Sequence, residues 1–328
     1  MNLKKMYLKS AVLLLLIALV SCSSDDDDDM GNWVESSSFD GYSRANAAAF
    51  VINDKGYIVG GYDGDDYMYD LWEYDKDGDY WVQKADFPGV PRTAGVGFSL
   101  NGKGYFGTGY DGDDEVGDFW CYDPSSNMWT RKADFAGTAR TGAIGFAVSG
   151  KGYIGTGYDG SELKDFWKYN DATNEWTQLY GFGGNKRKDA TVFVINDIAY
   201  VGTGIQNGRY QNDFYAFDGI AETWKRLRDL DDEDEDYKIL LANGVGFSLN
   251  GFGYITTGEA SGISTNLWEY NPLIDKWDDR PDFEGAARQD ANSFSFSDKA
   301  FVLMGRSGGY YFDDNWEYRP DEESDEDD

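Results

Sequence analysis

Histidine is absent from this chain of 328 residues. Its absence excludes Ser-His-Asp and Cys-His catalysis and ordinary His-ligated zinc or copper sites. Cysteine occurs only twice, as Cys22 and Cys121, so no disulfide framework supports the fold. Positive charge is scarce: 29 Lys and Arg stand against 60 Asp and Glu, a net charge of −31. That balance disfavours nucleic acid as a partner, because phosphate neutralisation needs a basic surface. Long apolar runs are missing as well, apart from the ten residues Ala11 to Val20. Ten residues do not span a bilayer as a helix. No other segment has the period of an amphipathic helix.

Glycine and aromatic residues dominate instead, with 41 Gly and 17% Phe, Trp and Tyr, and they recur at fixed intervals. An aromatic follows a Phe by seven residues at Phe50/Tyr57, Phe98/Tyr105, Phe146/Tyr153, Phe193/Tyr200, Phe247/Tyr254 and Phe294/Phe301, which makes six copies of one unit. The clearest copy, Arg92 to Gly137, predicts four short antiparallel strands: Ala94 to Leu100, Lys103 to Thr108, Asp118 to Tyr122 and Met128 to Lys132. Its third strand carries Trp120, and Trp129 follows nine residues later. The same pair occurs in other copies as Trp72/Trp81, Trp167/Trp176, Tyr215/Trp224 and Trp268/Trp277.

Only the sixth copy departs, because Asp325 stands nine residues after Trp316. Trp33 supplies the missing residue: it precedes Arg44 by eleven, as Trp81 precedes Arg92 and Trp129 precedes Arg140. The N-terminal segment is therefore expected to be the outer strand of the last sheet. Such an arrangement closes a ring of sheets and leaves no open edge between the chain ends. Small residues on the first strands, such as Ala47 to Ala49, Gly95, Gly97, Gly142 and Gly145, suit six strands crowding one axis.

The run Tyr57 to Gly61, followed by Trp72 and Tyr74 and then by Trp81, resembles the kelch repeat. The resemblance covers about residues 33 to 318 and implies an all-β, six-bladed kelch β-propeller closed by the N-terminal outer strand. One departure is visible. Only the first copy has the double glycine Gly60-Gly61, while others read Gly-Thr-Gly, as at Gly107 to Gly109, and keep the second glycine.

Residues 1 to 21 have the form of a secretory signal, with Lys4, Lys5 and Lys9 before the apolar run. The sequence Leu19-Val20-Ser21-Cys22 resembles a bacterial lipobox, which implies acylation of Cys22 and attachment to a membrane. Residues 22 to 32 form an acidic tether with Asp25 to Asp29 in a row. This placement resembles the export signal of Gram-negative surface lipoproteins and predicts an outer-membrane protein displayed at the cell surface. The acidic residues 319 to 328 are expected to be a disordered tail. Cys121, between Trp120 and Tyr122, reads as a small buried hydrophobe.

Candidate chemistry falls on the face that carries the loops between second and third strands and between blades. Arg44, Arg92, Arg140, Arg187 and Arg288 recur six residues before the first-strand Phe, and Leu241 takes the sixth place. Guanidinium groups there suit carboxylates, phosphates or acidic sugars, and arginines at the matching place contact ligand in peptide-binding kelch proteins. The competing reading pairs each with a carboxylate of an adjacent loop, for which Asp70, Asp118, Asp165 and Asp213 are available. The acidic loops containing Asp63, Asp65, Asp111 and Asp113 have oxygen donors for calcium but are also ordinary Asp-Gly turns, and no complete calcium loop is present.

Two copies break the pattern. The fourth has six extra residues between Trp224 and Leu241, and the sixth places Arg306, Tyr310 and Tyr311 in its loop, where they are candidate ligand contacts. The expected function is binding of a glycan or of a protein or peptide partner. A histidine-free acidic-sugar mutarotase, as among bacterial kelch propellers, and an envelope scaffold are the alternatives; kelch-containing copper radical oxidases are excluded by the missing histidine.

Overall fold

The structure is a computed structural model and describes residues 30–232 and 237–324. Six four-stranded antiparallel sheets are arranged as the blades of a propeller. Blade 2 shows how local sequence sets the strands. Val96–Leu100, Lys103–Gly107, Phe119–Asp123 and Met128–Arg131 pair in chain order. The Asn101-Gly102 turn joins the first two strands, with both residues at positive φ, as a two-residue hairpin requires. Phe98 opposes Tyr105 and Tyr122 opposes Trp129, so the period-two aromatics meet across the sheet.

Blades 1, 3, 4 and 5 repeat this order, with first strands Ala48–Ile52, Ile144–Val148, Thr191–Ile195 and Val245–Leu249. Blade 6 consists of Asn292–Ser295, Ala300–Leu303, Asn315–Glu323 and, as its outer strand, Met30–Ser36. Trp33 opposes Tyr318 there, as Trp129 opposes Tyr122 in blade 2. The N-terminal segment thus closes the ring. Its ring also packs edge-on against Phe283 at 4.8 Å, joining blade 6 to the linker from blade 5.

The strand boundaries at this seam differ from the sequence expectation. Asn315–Glu323 runs past residue 318 because Met30 and Asn32 reach back to pair with Glu323 and Arg319. Residues 30–32 of the expected tether and 319–323 of the expected tail are therefore sheet. The remainder of the leader and tether, with Cys22, and residues 325–328 lie outside the described residues.

The Gly-Thr-Gly variation also carries more consequence than a tolerated exchange. The residue before the retained glycine is left-handed in every blade: Gly60, Thr108, Thr156, Thr203, Thr257 and Met304 have φ between 58° and 71°. A β-branched residue pays for that conformation. The retained glycine that follows, Gly109 in blade 2, has φ 106°, and a Cβ there would lie 2.7 Å from the Thr93 carbonyl. Only glycine fits the second position, whereas the first bears strain. Thr108 is fully buried and its hydroxyl has no partner. Thr108→Gly is accordingly expected to stabilise the fold by about 1 kcal/mol, which urea unfolding of the variant and parent would measure.

Candidate functional site

Each of the five repeated arginines is fully buried. Arg44 donates to both carboxylate oxygens of Asp70, at 2.5 and 2.8 Å, and to the carbonyl of the left-handed Gly60 at 3.1 Å. Arg140 binds Asp165 at 2.6 and 2.7 Å and the Thr156 carbonyl at 2.9 Å. Arg92 grips Asp118 and Arg288 grips Asp314 in the same forked manner, and Arg187 donates to Asp213. A phenylalanine lies beneath each guanidinium, Phe39, Phe87, Phe135, Phe182 and Phe283, at 4.8 to 5.0 Å. The indoles of Trp72, Trp120, Trp167 and Trp316 donate to the same carboxylates.

These cages correct the reading of the five arginines as ligand contacts: every fork is already occupied, and no guanidinium reaches solvent. Burial pushes the Asp118 carboxyl up, but hydrogen bonding and charge from Arg92 override it and leave the pKa below the ordinary value. Breaking such a buried pair from one side strands a charge. Arg92→Leu is expected to cost about 3–5 kcal/mol, and adding Asp118→Asn is expected to recover much of that loss. A double-mutant cycle by denaturant unfolding checks the coupling.

The axis is closed just inside the cages by a hoop of backbone hydrogen bonds. Asn46, Ala94, Gly142, Asp189, Asn243 and Asp290 each stand two residues after the arginine position, and all six are left-handed. Each N–H donates to the carbonyl of the residue one blade back: Ala94 to Asn46, Gly142 to Ala94, Asp189 to Gly142, Asn243 to Asp189, Asp290 to Asn243 and Asn46 to Asp290, over 2.9 to 3.3 Å. These residues floor a depression of about 120 Å³ at the mouth of the axis. A larger axial cavity of about 340 Å³ is lined by Phe, Val, Ala, Gly and Ser and has no titratable side chain.

The mouth is chemically two-sided. Immediately after the retained glycine, blades 1 to 3 carry Tyr62, Tyr110 and Tyr158, whereas blades 4 to 6 carry Ile205, Glu259 and Arg306. Tyr311, Tyr62, Tyr67 and Tyr110 form an arc of rings with successive centroids 6.1, 4.8 and 6.1 Å apart. The charged groups continue from its end: Arg306, which pairs with Tyr311, donates from Nε to Asp290 Oδ2 at 2.7 Å, and Lys188 Nζ lies 3.4 Å from Asp189. Lys188 also sits over the Tyr158 ring at 5.3 Å. Asn243 Nδ2 donates to Glu259 at 3.4 Å.

Asp189 is held above the ordinary carboxylate pKa, first by burial, which Lys188 opposes and the charges of Asp290 and Glu259 reinforce. Asp290 is raised by burial in spite of Arg306. Two partly desolvated carboxyls therefore share the mouth with an ammonium and a guanidinium.

Residues 43–88, the first blade with its entry, match the Kelch motif. The solved structure of YjhT matches with a TM-score of 0.71 at 16% identity, over 85% of this chain and 96% of that one. The fold is a kelch β-propeller. No curated protein matches the sequence.

Within the kelch propeller the remaining candidates separate. Arg306 reaches the mouth through Asp290, Tyr311 packs over Gly64 and Tyr62 of blade 1, and Tyr310 is exposed, with its ring against Phe312 at 4.9 Å. Asp63 accepts the N–H groups of Asp65 and Asp66 at 2.9 and 2.7 Å, and Asp111 those of Asp113 and Asp114 at 3.0 and 2.9 Å. The acidic loops have Asx-turn geometry. Among the described residues, no group of three or more Asp, Glu, Cys or His side chains has metal-holding geometry. Cys121 is buried, and burial raises its thiol pKa.

Lys188, Asp189, Glu259 and Asp290 were not singled out by the sequence. Their signal is a comparison of repeats for difference: the position two after the arginine and the one after the retained glycine change character between blades 3 and 4.

Proposed function

We propose that this protein is a saccharide-binding module whose ligand seats in the axial mouth. The observation that carries the reading is a ring of side chains around the axis in which the tyrosine arc runs into the charged groups Lys188, Asp189, Glu259, Asp290 and Arg306. Aromatic faces take the C–H side of a sugar ring, while carboxylates and cations hold its hydroxyl or acid groups in fixed directions. Titration with neutral, N-acetylated and acidic monosaccharides tests the reading, alongside a glycan array. Binding that weakens at least tenfold in Arg306→Ala supports it, whereas unchanged binding there, or no sugar bound at all, favours a peptide ligand or a scaffold.

The raised carboxyl of Asp189 supports a second reading, acid–base work on a sugar hemiacetal of the mutarotase kind. A protonated carboxyl donates to a ring oxygen while a neighbouring carboxylate accepts from the anomeric hydroxyl, and the reverse transfers reclose the ring. The same burial has a cost for stability. Because the folded pKa lies above the ordinary value of 3.8, Asp189 favours the fold below that pH and loses this contribution as pH rises through the folded pKa. Asp189→Asn is therefore expected to raise Tm near pH 7 by about 2 °C, with the gain vanishing below about pH 4, and to abolish any anomer exchange. Calorimetry against pH and exchange NMR of acidic sugars read the two effects separately.

Anchoring belongs to the same proposal. Cys22 would carry the lipid and hold the propeller by a short tether at the outer membrane, displayed at the surface. Expression in a Gram-negative host tests this: Cys22→Ala is expected to move the protein from the membrane to the soluble fraction and to remove acyl mass from the mature N-terminus.

A further inference from the structure

One seam of the propeller, between blades 4 and 5, lacks the arginine cage. Leu230 replaces the phenylalanine, Leu241 the arginine and Asn266 the aspartate. Arg and Asp are lost together, so no buried charge is left unpaired, and the seam is a coherent substitution rather than a damaged cage. The six extra residues of the fourth copy fall at the same place, where Asp231–Asp232 pairs with Tyr237–Lys238. Leu230, Tyr237, Ile239 and Leu241 are buried against Phe214, Tyr270 and Trp277, which fixes this hairpin as a wall.

A groove of about 790 Å³ opens there, lined by Tyr210, Lys238, Ile263, Ser264, Asn266 and Asp282 among others. That volume lies within the ~300–1,000 Å³ of small-molecule sites. Its polar groups hold one another in place: Asn266 donates to Asp282 at 3.2 Å, and Ser264 Oγ donates to Asn266 Oδ1 at 2.9 Å. Hydroxyls and an amide predominate over full charges. The groove also adjoins the mouth. Tyr210 pairs with Ile205 on the mouth rim and donates its hydroxyl to Ala260, the residue after Glu259, at 2.9 Å.

We propose that this groove is an extension subsite that takes the inner residues of a saccharide chain whose terminal residue occupies the mouth. The proposal rests on the saccharide reading of the mouth. Preorganised hydroxyl and amide groups beside an aromatic ring suit a polyhydroxylated chain, and the missing cage is what gives the chain room to leave the axis.

Gly262 supplies the test, because it is exposed, its φ is not in the left-handed region, and a Cβ there meets no atom within 4 Å. Gly262→Trp therefore plugs the groove without touching the core. Calorimetric titration would use chito-oligosaccharides and oligogalacturonates of one, two and four residues with the wild type, Gly262→Trp, Tyr210→Ala and Arg306→Ala. In one series the wild type is expected to gain at least tenfold in affinity from monomer to tetramer. Gly262→Trp should remove that gain and leave monomer affinity unchanged, Tyr210→Ala should reduce the gain, and Arg306→Ala should weaken every length. A length gain that survives the plug, or monomer binding without any gain, overturns the groove alone. Absence of binding at every length in both series overturns the mouth reading and this proposal with it.

Discussion

Everything in this propeller depends on how one blade is tied to the next around a crowded axis. The tie is a backbone one: the carbonyl of each arginine, and of Leu241 in the sixth place, accepts the N–H of the retained glycine in the preceding blade, over 2.7 to 2.9 Å. The arginine side chain meanwhile turns into its own blade and fixes the carboxylate that begins the third strand. One residue thus joins two blades through its main chain and orders one through its side chain. Left-handed conformations are the condition for this geometry, since they turn the N–H groups toward the neighbouring blade and the carbonyls toward the guanidiniums. At Thr108, Thr156, Thr203 and Met304 the carbonyl so turned accepts a buried guanidinium N–H, whereas Thr257 keeps the same left-handed turn in the blade where Leu241 replaces the arginine.

The distinction between main-chain and side-chain duties explains why blade 5 departs without opening the ring. Leu241 keeps the backbone tie to Gly204 and the inner hoop still passes through Asn243. Loss of the cage alters only what fills the seam. A propeller built this way tolerates specialisation at one seam as long as both hoops of hydrogen bonds survive, which a pairwise count of ion pairs would not reveal.

The scaffold was legible in the sequence because repetition reports packing. The nine-residue interval from Trp120 to Trp129 is the passage from the third strand through a turn to the fourth, and the eleven residues from Trp33 to Arg44 disclosed the displaced outer strand. The same repetition left two readings of the arginines open, a binding face or pairs with loop carboxylates, and the second is what formed. Five arginines at one register look like a binding face, yet a group that must do the same job in successive blades is doing a blade's job, and Asp70, Asp118, Asp165, Asp213 and Asp314 were already its partners. The Met30–Asn32 and Arg319–Glu323 extension was hidden for another reason: an acidic composition suggests disorder, but backbone pairing with a facing strand is indifferent to side-chain charge at an exposed edge.

Sixfold architecture cannot by itself orient an asymmetric ligand, so a site on the axis must be found where the symmetry fails. Here it fails along a diameter. Tyr62, Tyr110 and Tyr158 occupy one half, Ile205, Glu259 and Arg306 the other, and the hoop residues change from Asn, Ala and Gly to Asp, Asn and Asp across the same line. The changes at both positions coincide in sequence between blades 3 and 4, although neither is required by the hoop, which uses main-chain atoms alone. Burying Asp189 and Asp290 on one hoop, with Asn243 between them, adds nothing to closure and opposes stability while they are charged. Groups that the fold does not need, held at an energetic disadvantage on the one axis common to all six blades, are what the proposed ligand site draws on.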